Sequence, residues 1–300
     1  MKKMENIPKK YTIFMDIKGD NMAGILYLCA TPIGNLEDIT FRVLRTLKEV
    51  DLIAAEDTRN SIKLLNHFEI STPLTSYHEY NKIEKAYQLV EKLKEGQNIA
   101  LITDAGTPGI SDPGEDIVRI CYEAGIEVTS LPGAAACITA LTMSGRSTRR
   151  FAFEAFLPKD KKERAQILEE LKDETRTIII YEAPHHLTKT IKELLDVLGD
   201  RELTVCRELT KRYEEKIQTT FSALLSYYED KEPRGEYVLV ICGKSLEEIE
   251  KEKQSSWEEM SIEEHMKLYE DRGVDHKEAM KLVAKDRGVS KRDIYQYLLK

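Results

Sequence analysis

Several residues able to do chemistry stand directly behind apolar runs. AAEDTRNS, Ala54–Ser61, sets Glu56, Asp57 and Arg59 just past one such run. A carboxylate placed there needs a partner. The trio could move a proton or hold an anionic oxygen. A purely local role competes with this, because Asp57 or Thr58 can cap a following helix. LITDAGTPGISDPG, Leu101–Gly114, ends a second apolar run in Asp104 and then packs Gly106, Pro108, Gly109, Pro113 and Gly114 into one loop. Glycine lets a ligand approach the backbone closely, and proline stiffens what surrounds it. A plain strand-to-helix connection needs only about two to six residues, so a ligand cradle is the better reading than a simple turn. LCATPIGNLEDIT, Leu28–Thr40, adds a rigid Pro32–Gly34 turn, and YEAPHH, Tyr181–His186, adds an adjacent histidine pair.

The elements that must position these residues alternate strictly at first. Strand-like runs at Ile25–Thr31, Leu52–Glu56, Leu74–Tyr77, Ile99–Asp104 and Val128–Leu131 are separated by helical patterns at Phe41–Val50, Ser61–Phe68, Ile83–Glu95 and Glu115–Ala124, with another at Ala134–Met143. That alternation predicts a mostly parallel sheet covered on both faces. Parallel strands bring Pro32, Glu56 and Asp104 to one sheet edge. Open α/β sheets bind ligands at that edge.

GRSTRR, Gly145–Arg150, interrupts the pattern and is read as a domain link. Behind it, strands at Phe151–Leu157, Thr177–Glu182, Leu203–Leu209, Glu215–Thr220 and Tyr237–Cys242, with helices at Glu163–Leu171, Leu187–Leu198 and Phe221–Tyr228, predict a smaller mixed sheet. The organisation expected is therefore an extension over 1–23, α/β domains over 24–147 and 148–243, a charged linker over 244–260, and a helical unit over 261–300. In that last unit Ala279, Leu282 and Val283 share one helical face. Gly288 turns the chain, Ser290 caps the next helix, and Ile294, Tyr297 and Leu298 face back inward, a helix-turn-helix pattern.

Composition excludes several classes. A net charge of −8 argues against a protein that coats nucleic acid indiscriminately, although a local basic patch remains open. No apolar run approaches the ~18 residues of a membrane-spanning helix. Cys29, Cys121, Cys137, Cys206 and Cys242 are scattered and form no C-x-x-C pair, so reduced core thiols in a cytoplasmic protein are expected and no metal site is. The dinucleotide glycine fingerprint, the phosphate-loop lysine, the zinc-protease helix and the nucleophile elbow are all absent.

Read together, LYLCATPIGNLEDIT, AAEDTRNSIKLLNHFEI, LITDAGTPGISDPG, LPGAAACITAL, FEAFLPKDKKER and IIYEAPHHL resemble the successive motifs of the tetrapyrrole-methylase-like S-adenosylmethionine-dependent methyltransferases. TPIGNLEDIT with EDTR resembles the branch of that family acting on small-subunit ribosomal RNA. The resemblance implies two α/β domains with the methyl donor in a cleft between them, a homodimer, and 2′-O-methylation of a cytidine ribose in the decoding region of 16S ribosomal RNA. It assigns donor contacts to Pro32, Asp104, Ala105, Gly106, Thr107, Ile110, Ser111 and Asp112, to Ala134 and Ala135, and to Phe156, Leu157, Tyr181, Glu182 and Ala183. Ala135 stands where many relatives carry a hydroxyl. The chain also begins well before the first strand, unlike the family, and Met22 is an alternative start.

Methyl transfer from a sulfonium is an in-line displacement that needs alignment and exclusion of water, and no metal. A base assists a weakly acidic ribose hydroxyl. Glu56, Asp57, Asp104, Glu182 and His185 are candidates, and Glu56, Asp57 and Arg59 are the catalytic expectation. An RNA substrate calls for basic surface, and Arg146, Arg149, Arg150, Lys159, Lys161, Lys162 and Arg164 are the expected contacts, with ordinary surface lysines as the competing reading. Two further readings compete: a corrin or porphyrin-precursor methylase, and an RNA-binding protein without turnover that retains the donor pocket. EDTR, the basic clusters and the helical tail speak against the first, and the intact glycine–proline loop against the second.

Overall fold

The computed structural model describes residues 23–257 and 260–299. The expected N-terminal extension therefore lies, but for Ala23, outside the described residues. The chain divides into two compact units, one reaching to Thr139 and including Leu209–Arg212, the other comprising Ala140–Glu208 and the chain from Tyr213 onward.

The first unit runs β1 (Ile25–Cys29), α1 (Phe41–Glu49), β2 (Leu52–Ala55), α2 (Thr58–His67), β3 (Leu74–Ser76), α3 (Lys82–Lys94), β4 (Ile99–Ile102), α4 (Glu115–Glu123) and β5 (Glu127–Leu131). All neighbouring pairs are parallel, in the order β3-β2-β4-β1-β5. The alternation read from the sequence is thus met. β4 is apolar and buried on both faces. Ile99 and Leu101 pack with Leu89 and Leu93 of α3 and Ile117 and Ile120 of α4, while Ala100 and Ile102 pack with Val43 and Leu47 of α1 and Leu65 of α2. A continuous apolar run of this kind is what a doubly covered parallel strand requires.

Strand order creates a switch point. The connection from β1 leads across β4 to β2, and the connection from β4 leads across β1 to β5, so the two run in opposite directions along the sheet. Crossovers are right-handed, so opposite directions put their helices on opposite faces. The clusters above show this, with α1 on one face and α4 on the other. The loops leaving β1 and β4 therefore part, and the crevice between them is where such sheets receive ligands.

The second unit runs α5 (Ala136–Met143, which begins within the first), β6 (Phe151–Phe156), α6 (Lys161–Leu171), β7 (Thr177–Glu182), α7 (Leu187–Leu198), β8 (Glu202–Arg207), β9 (Glu215–Thr220), α8 (Phe221–Tyr227) and β10 (Tyr237–Ile241). Its sheet, β6-β7-β10-β8-β9, is mixed as expected, with β6–β7 parallel and the other pairs antiparallel, and it has as many strands as the first. Ile178, Ile180, Leu203, Val205, Leu239 and Ile241 of one face meet apolar residues of α6, α7 and α8. β8 stops two residues before the sequence pattern does, because Glu208 and Thr210 take left-handed φ values of 52° and 65°.

The charged stretch after the second sheet is a helix, α9 (Leu246–Ser256), opened by a capping box on Ser245. Then come α10 (Ile262–Glu270), α11 (His276–Asp286) and α12 (Lys291–Leu298). The turn at Gly288 and the Ser290 cap are present. α10 extends the expected helix pair to three, and its Met266 packs with Ala279, Met280, Val283 and Ile294. Tyr297 is 47% exposed and does not face inward, since Ile294 already fills that side. His265 is wholly buried, stacked on Trp257 at 4.0 Å, with Asp286 3.3 Å from one ring nitrogen and the Arg287 guanidinium donating to the other. That group fixes α10 against α11.

Candidate functional site

Three loops meet at the switch point. Thr31 and Gly106 exchange backbone hydrogen bonds of 2.9 and 3.0 Å, joining the loop after β1 to the loop after β4. The Thr31 hydroxyl donates to the Thr103 carbonyl at 3.1 Å. The Thr107 hydroxyl donates to the Ala134 carbonyl at 2.9 Å and ties in the turn after β5. Gly106 has φ +91°. At Gly114 a Cβ would lie 2.7 Å from the Gly109 nitrogen, so the loop's end packs backbone to backbone on its middle. Ser111 is left-handed at φ 70°, a conformation that costs roughly 1–3 kcal/mol outside glycine and concentrates at ligand sites. Residues 104–112 thus form a stiff, backbone-lined cradle, with Ile110 at 40% exposure on its rim.

Carboxylates crowd the cradle. Burial raises Glu56 above the usual carboxylate range; a backbone hydrogen bond from Asp104 opposes this, while the charges of Asp104, Asp57 and Glu79 add to it. Burial pushes Asp112 up to about 7, helped by the charges of Glu56 and Asp104. Asn60 donates to Asp104 at 3.0 Å and fixes its carboxylate.

Asp57 has a different local role. It caps α2, accepting from the Arg59 amide at 2.8 Å, and binds the Arg59 guanidinium at 2.7 Å, which holds its carboxyl down at about 2. Asp57 thus binds a proton far less readily than Glu56, whose affinity for one is raised. Arg59 stays 88% exposed, anchored but available. A cavity of about 340 Å³ opens beside these groups, lined by Pro32, Gly34 and Leu36, by Lys63, Leu64 and His67 of α2, and by Asp104.

The other expected donor residues lie in the second unit. Phe156 is half-exposed and sets its edge on Tyr181 at 5.6 Å, with Phe153 on the same ring at 5.0 Å. β6 bulges there, with Ala155 at φ 51°. Leu157 and Glu182 are each 6% exposed. Glu182 accepts from the Ala183 amide at 2.8 Å and from the Thr190 hydroxyl, which in turn accepts from Arg164 at 2.7 Å. His185 is exposed beside the ring of His186.

The basic residues read as RNA contacts separate into two kinds. Arg164 pairs with Glu193 at 2.7 Å, and Arg146 pairs with Glu202 at 2.6 Å; their side chains are 14% and 15% exposed. Both are engaged inside the second unit. Arg149, Arg150, Lys159, Lys161 and Lys162 are exposed.

The sequence reading passed over Asn60, Lys63 and His67. Arg59, Lys63 and His67 recur every fourth residue on α2, a signal already legible in the helical pattern. It also passed over Leu209–Arg212, whose Lys211 and Thr210 would meet a Cβ on Gly34 at 2.4 and 2.8 Å. No local pattern announces a contact between positions so far apart in sequence.

The residues present fit an adenosyl donor: a cradle of backbone amides, an apolar rim at Ile110, and carboxylates able to face a cation. The model of the tetrapyrrole (corrin/porphyrin) methylases matches residues 25–225. Over 281 residues the chain is 50% identical to the ribosomal RNA small subunit methyltransferase I of Bacillus subtilis (strain 168), covering 94% of this chain and 96% of that one. The protein of the same name from Synechocystis sp. is 47% identical, covering 92% and 98%. Among solved structures, a diphthine synthase superposes with a TM-score of 0.57 at 13% identity, covering 73% of this chain and 90% of that one. The uroporphyrin-III C-methyltransferase from Thermus thermophilus complexed with S-adenyl homocysteine gives 0.52 at 17%, covering 72% and 97%. At such identities these two likenesses speak for the fold alone.

Proposed function

The chain belongs to the tetrapyrrole (corrin/porphyrin) methylase family, and from that premise we propose that it transfers a methyl group from S-adenosylmethionine to RNA of the small ribosomal subunit. The acceptor proposed is the 2′-hydroxyl of a cytidine ribose in the decoding region of 16S ribosomal RNA. The observation that carries this reading is the 50% identity, spanning 94% of the chain, to a relative named for small-subunit ribosomal RNA methylation. The tetrapyrrole alternative draws support from the description of the family model and from the fold of solved structures under 20% identical.

Bound S-adenosylmethionine supplies an electrophilic methyl group on a sulfonium cation. Asp104, Ala105, Gly106, Thr107, Ile110, Ser111 and Asp112 hold the donor in this reading, with Pro32, Ala134 and Ala135 beside them. Donor contacts proposed from the second unit are Phe156, Leu157, Tyr181, Glu182 and Ala183, with Leu157 and Glu182, whose side chains are buried, serving through their backbone. Glu56 accepts the proton released by the ribose hydroxyl. Its raised affinity for protons brings it nearer the working pH of a general base. Asp57 holds Arg59 outward as an anchor for a phosphate oxygen. The working state proposed is a cytoplasmic homodimer, checked for its mass by light scattering. Among the described residues no helix is long and apolar enough to cross a membrane.

The test incubates the protein with methyl-labelled S-adenosylmethionine and small ribosomal subunits from a strain lacking the gene. Label confined to one cytidine ribose is the expected result. Label appearing only in a tetrapyrrole, or donor binding with no transfer to either acceptor, overturns the proposal.

A further inference from the structure

The two faces of the first sheet differ in charge. α1 and α2 on one face carry five lysines and arginines (Arg42, Arg45, Lys48, Arg59, Lys63) against the single acid Glu49. α3 and α4 on the other face carry five of each sign. Several bases of that second face are paired, Lys82 with Glu79 and Asp116, Lys94 with Glu91, and Arg119 with Asp116 and Glu123. On the first face Arg42, Arg45, Lys48, Lys63 and His67 have no ionic partner among the described residues. In a chain of net charge −8, such a predominantly basic face is a local electrostatic footprint.

The cavity beside Asp104 opens on this face. Leu36 and Leu64 give it apolar walls, Lys63 and His67 stand one helical turn apart at its edge, and Asp104 joins it to the cradle. Arg59, a further turn back, is held outward by Asp57. A cavity of about 340 Å³ lies at the size of a small-molecule pocket and admits one nucleotide. Apolar walls suit a base or sugar, and a lysine, an arginine and an imidazole donor at one-turn intervals suit the phosphates on either side of it.

We propose that this cavity is the acceptor subsite, receiving one unstacked nucleotide of single-stranded RNA with Lys63, His67 and Arg59 on its flanking phosphates. It rests on the methyltransferase reading above for the identity of the acceptor. RNA is favoured over an acidic protein surface because the cavity is concave, has room for one planar group, and shares Asp104 with the cradle, which would bring a ribose hydroxyl beside the methyl group. Sequence-specific proteins commonly take unstacked bases in this way.

The experiment measures the affinity of the protein for small ribosomal subunits lacking the modification, donor affinity by calorimetry, and methyl transfer. Wild type is compared with Lys63→Glu, His67→Ala and the charge-matched control Lys92→Glu on α3, with thermal melts to confirm folding. Lys63→Glu is expected to weaken subunit binding about tenfold and to lower the slope of log affinity against log salt by about one. His67→Ala weakens binding about threefold, on the order of one lost phosphate hydrogen bond. Donor affinity stays within twofold, and Lys92→Glu matches wild type. Unchanged subunit affinity in Lys63→Glu overturns the subsite, as does a parallel fall in donor affinity, which would make the cavity part of the donor site. A fall equal to that of Lys92→Glu overturns it too. If wild type binds subunits but transfers no methyl group, the proposed reaction fails while the affinities still decide the subsite. If wild type does not bind subunits at all, both fail.

Discussion

The strand ends of the two units hold similar residues, and they use them differently. In the second unit the polar groups close on one another: Glu182 with Thr190, Thr190 and Glu193 with Arg164, and Arg146 with Glu202. In the first unit Glu56, Asp104 and Asp112 crowd one edge with raised proton affinity at two of the three. Ser111 is held left-handed there, and Lys63 and His67 stand without ionic partners among the described residues. Buried polar groups normally satisfy one another. Like charges gathered at one edge, together with backbone strain, are therefore what the proposed donor site would show before its ligand binds. Residue type alone does not separate the two regions; partnership does.

The strongest way to break this contrast is Glu56→Gln. The substitution keeps shape and removes the proton acceptor. Single-turnover transfer should fall about 100- to 1,000-fold, with donor and subunit affinities within a few-fold. Unchanged turnover would make the edge of the first unit as structural as that of the second, and would return the base to Asp104 or His185.

The converse substitution is Arg164→Met in the second unit. It removes the closer of the two cations on Glu193, leaving Lys189 at 3.7 Å, and takes the guanidinium donor from Thr190, so it should lower unfolding free energy by about 2 kcal/mol, read by urea denaturation. Subunit affinity should not change. A fall in affinity with no loss of stability would restore Arg164 as an RNA contact.

Gly106→Ala tests the cradle. Its φ of +91° is strained for alanine, and the new Cβ would sit 3.3 Å from Ile33. Both effects act on the joint between the loops after β1 and β4. Donor affinity should drop about tenfold, equivalent to roughly 1.4 kcal/mol, while subunit affinity holds.

Much of this arrangement was legible in the sequence. The apolar run Ile99–Ile102 read as a buried strand and strict alternation implied a mostly parallel sheet, which brings Pro32, Glu56 and Asp104 to one edge. What escaped was partnership. Arg146 and Arg164 read as surface charge because Glu202 and Glu193 lie 56 and 29 residues away. The same limit hid the meeting of Gly34 with Lys211. Asp57 read equally as cap or catalyst, and its contact with the Arg59 amide shows the cap. Lys63 and His67 could have been found from helical spacing, but a periodic basic stripe gains meaning only once a cavity lies beside it.

The smallest expected effect concerns Asp112, raised from an ordinary 3.8 to about 7 by burial and then by the charges of Glu56 and Asp104. Its folded-state value exceeds its unfolded one, so the folded state holds the extra proton between about pH 4 and 7. The stability that proton lends is complete below the unfolded value and is lost as pH rises through the folded one. The ligand-free protein should therefore melt lower at pH 7.5 than at pH 5.5 in this component, and Asp112→Asn should flatten that part of the profile. A cationic donor reverses the preference, since a positive charge beside Asp112 favours its carboxylate. S-adenosylmethionine should then bind a few-fold tighter at pH 7.5 than at pH 6 and release a proton on binding, seen as a buffer-dependent enthalpy. Asp112→Asn should lose both effects. An Asp112→Asn protein with the wild-type pH profile would show that the carboxylates of the first unit are as fully compensated as those of the second.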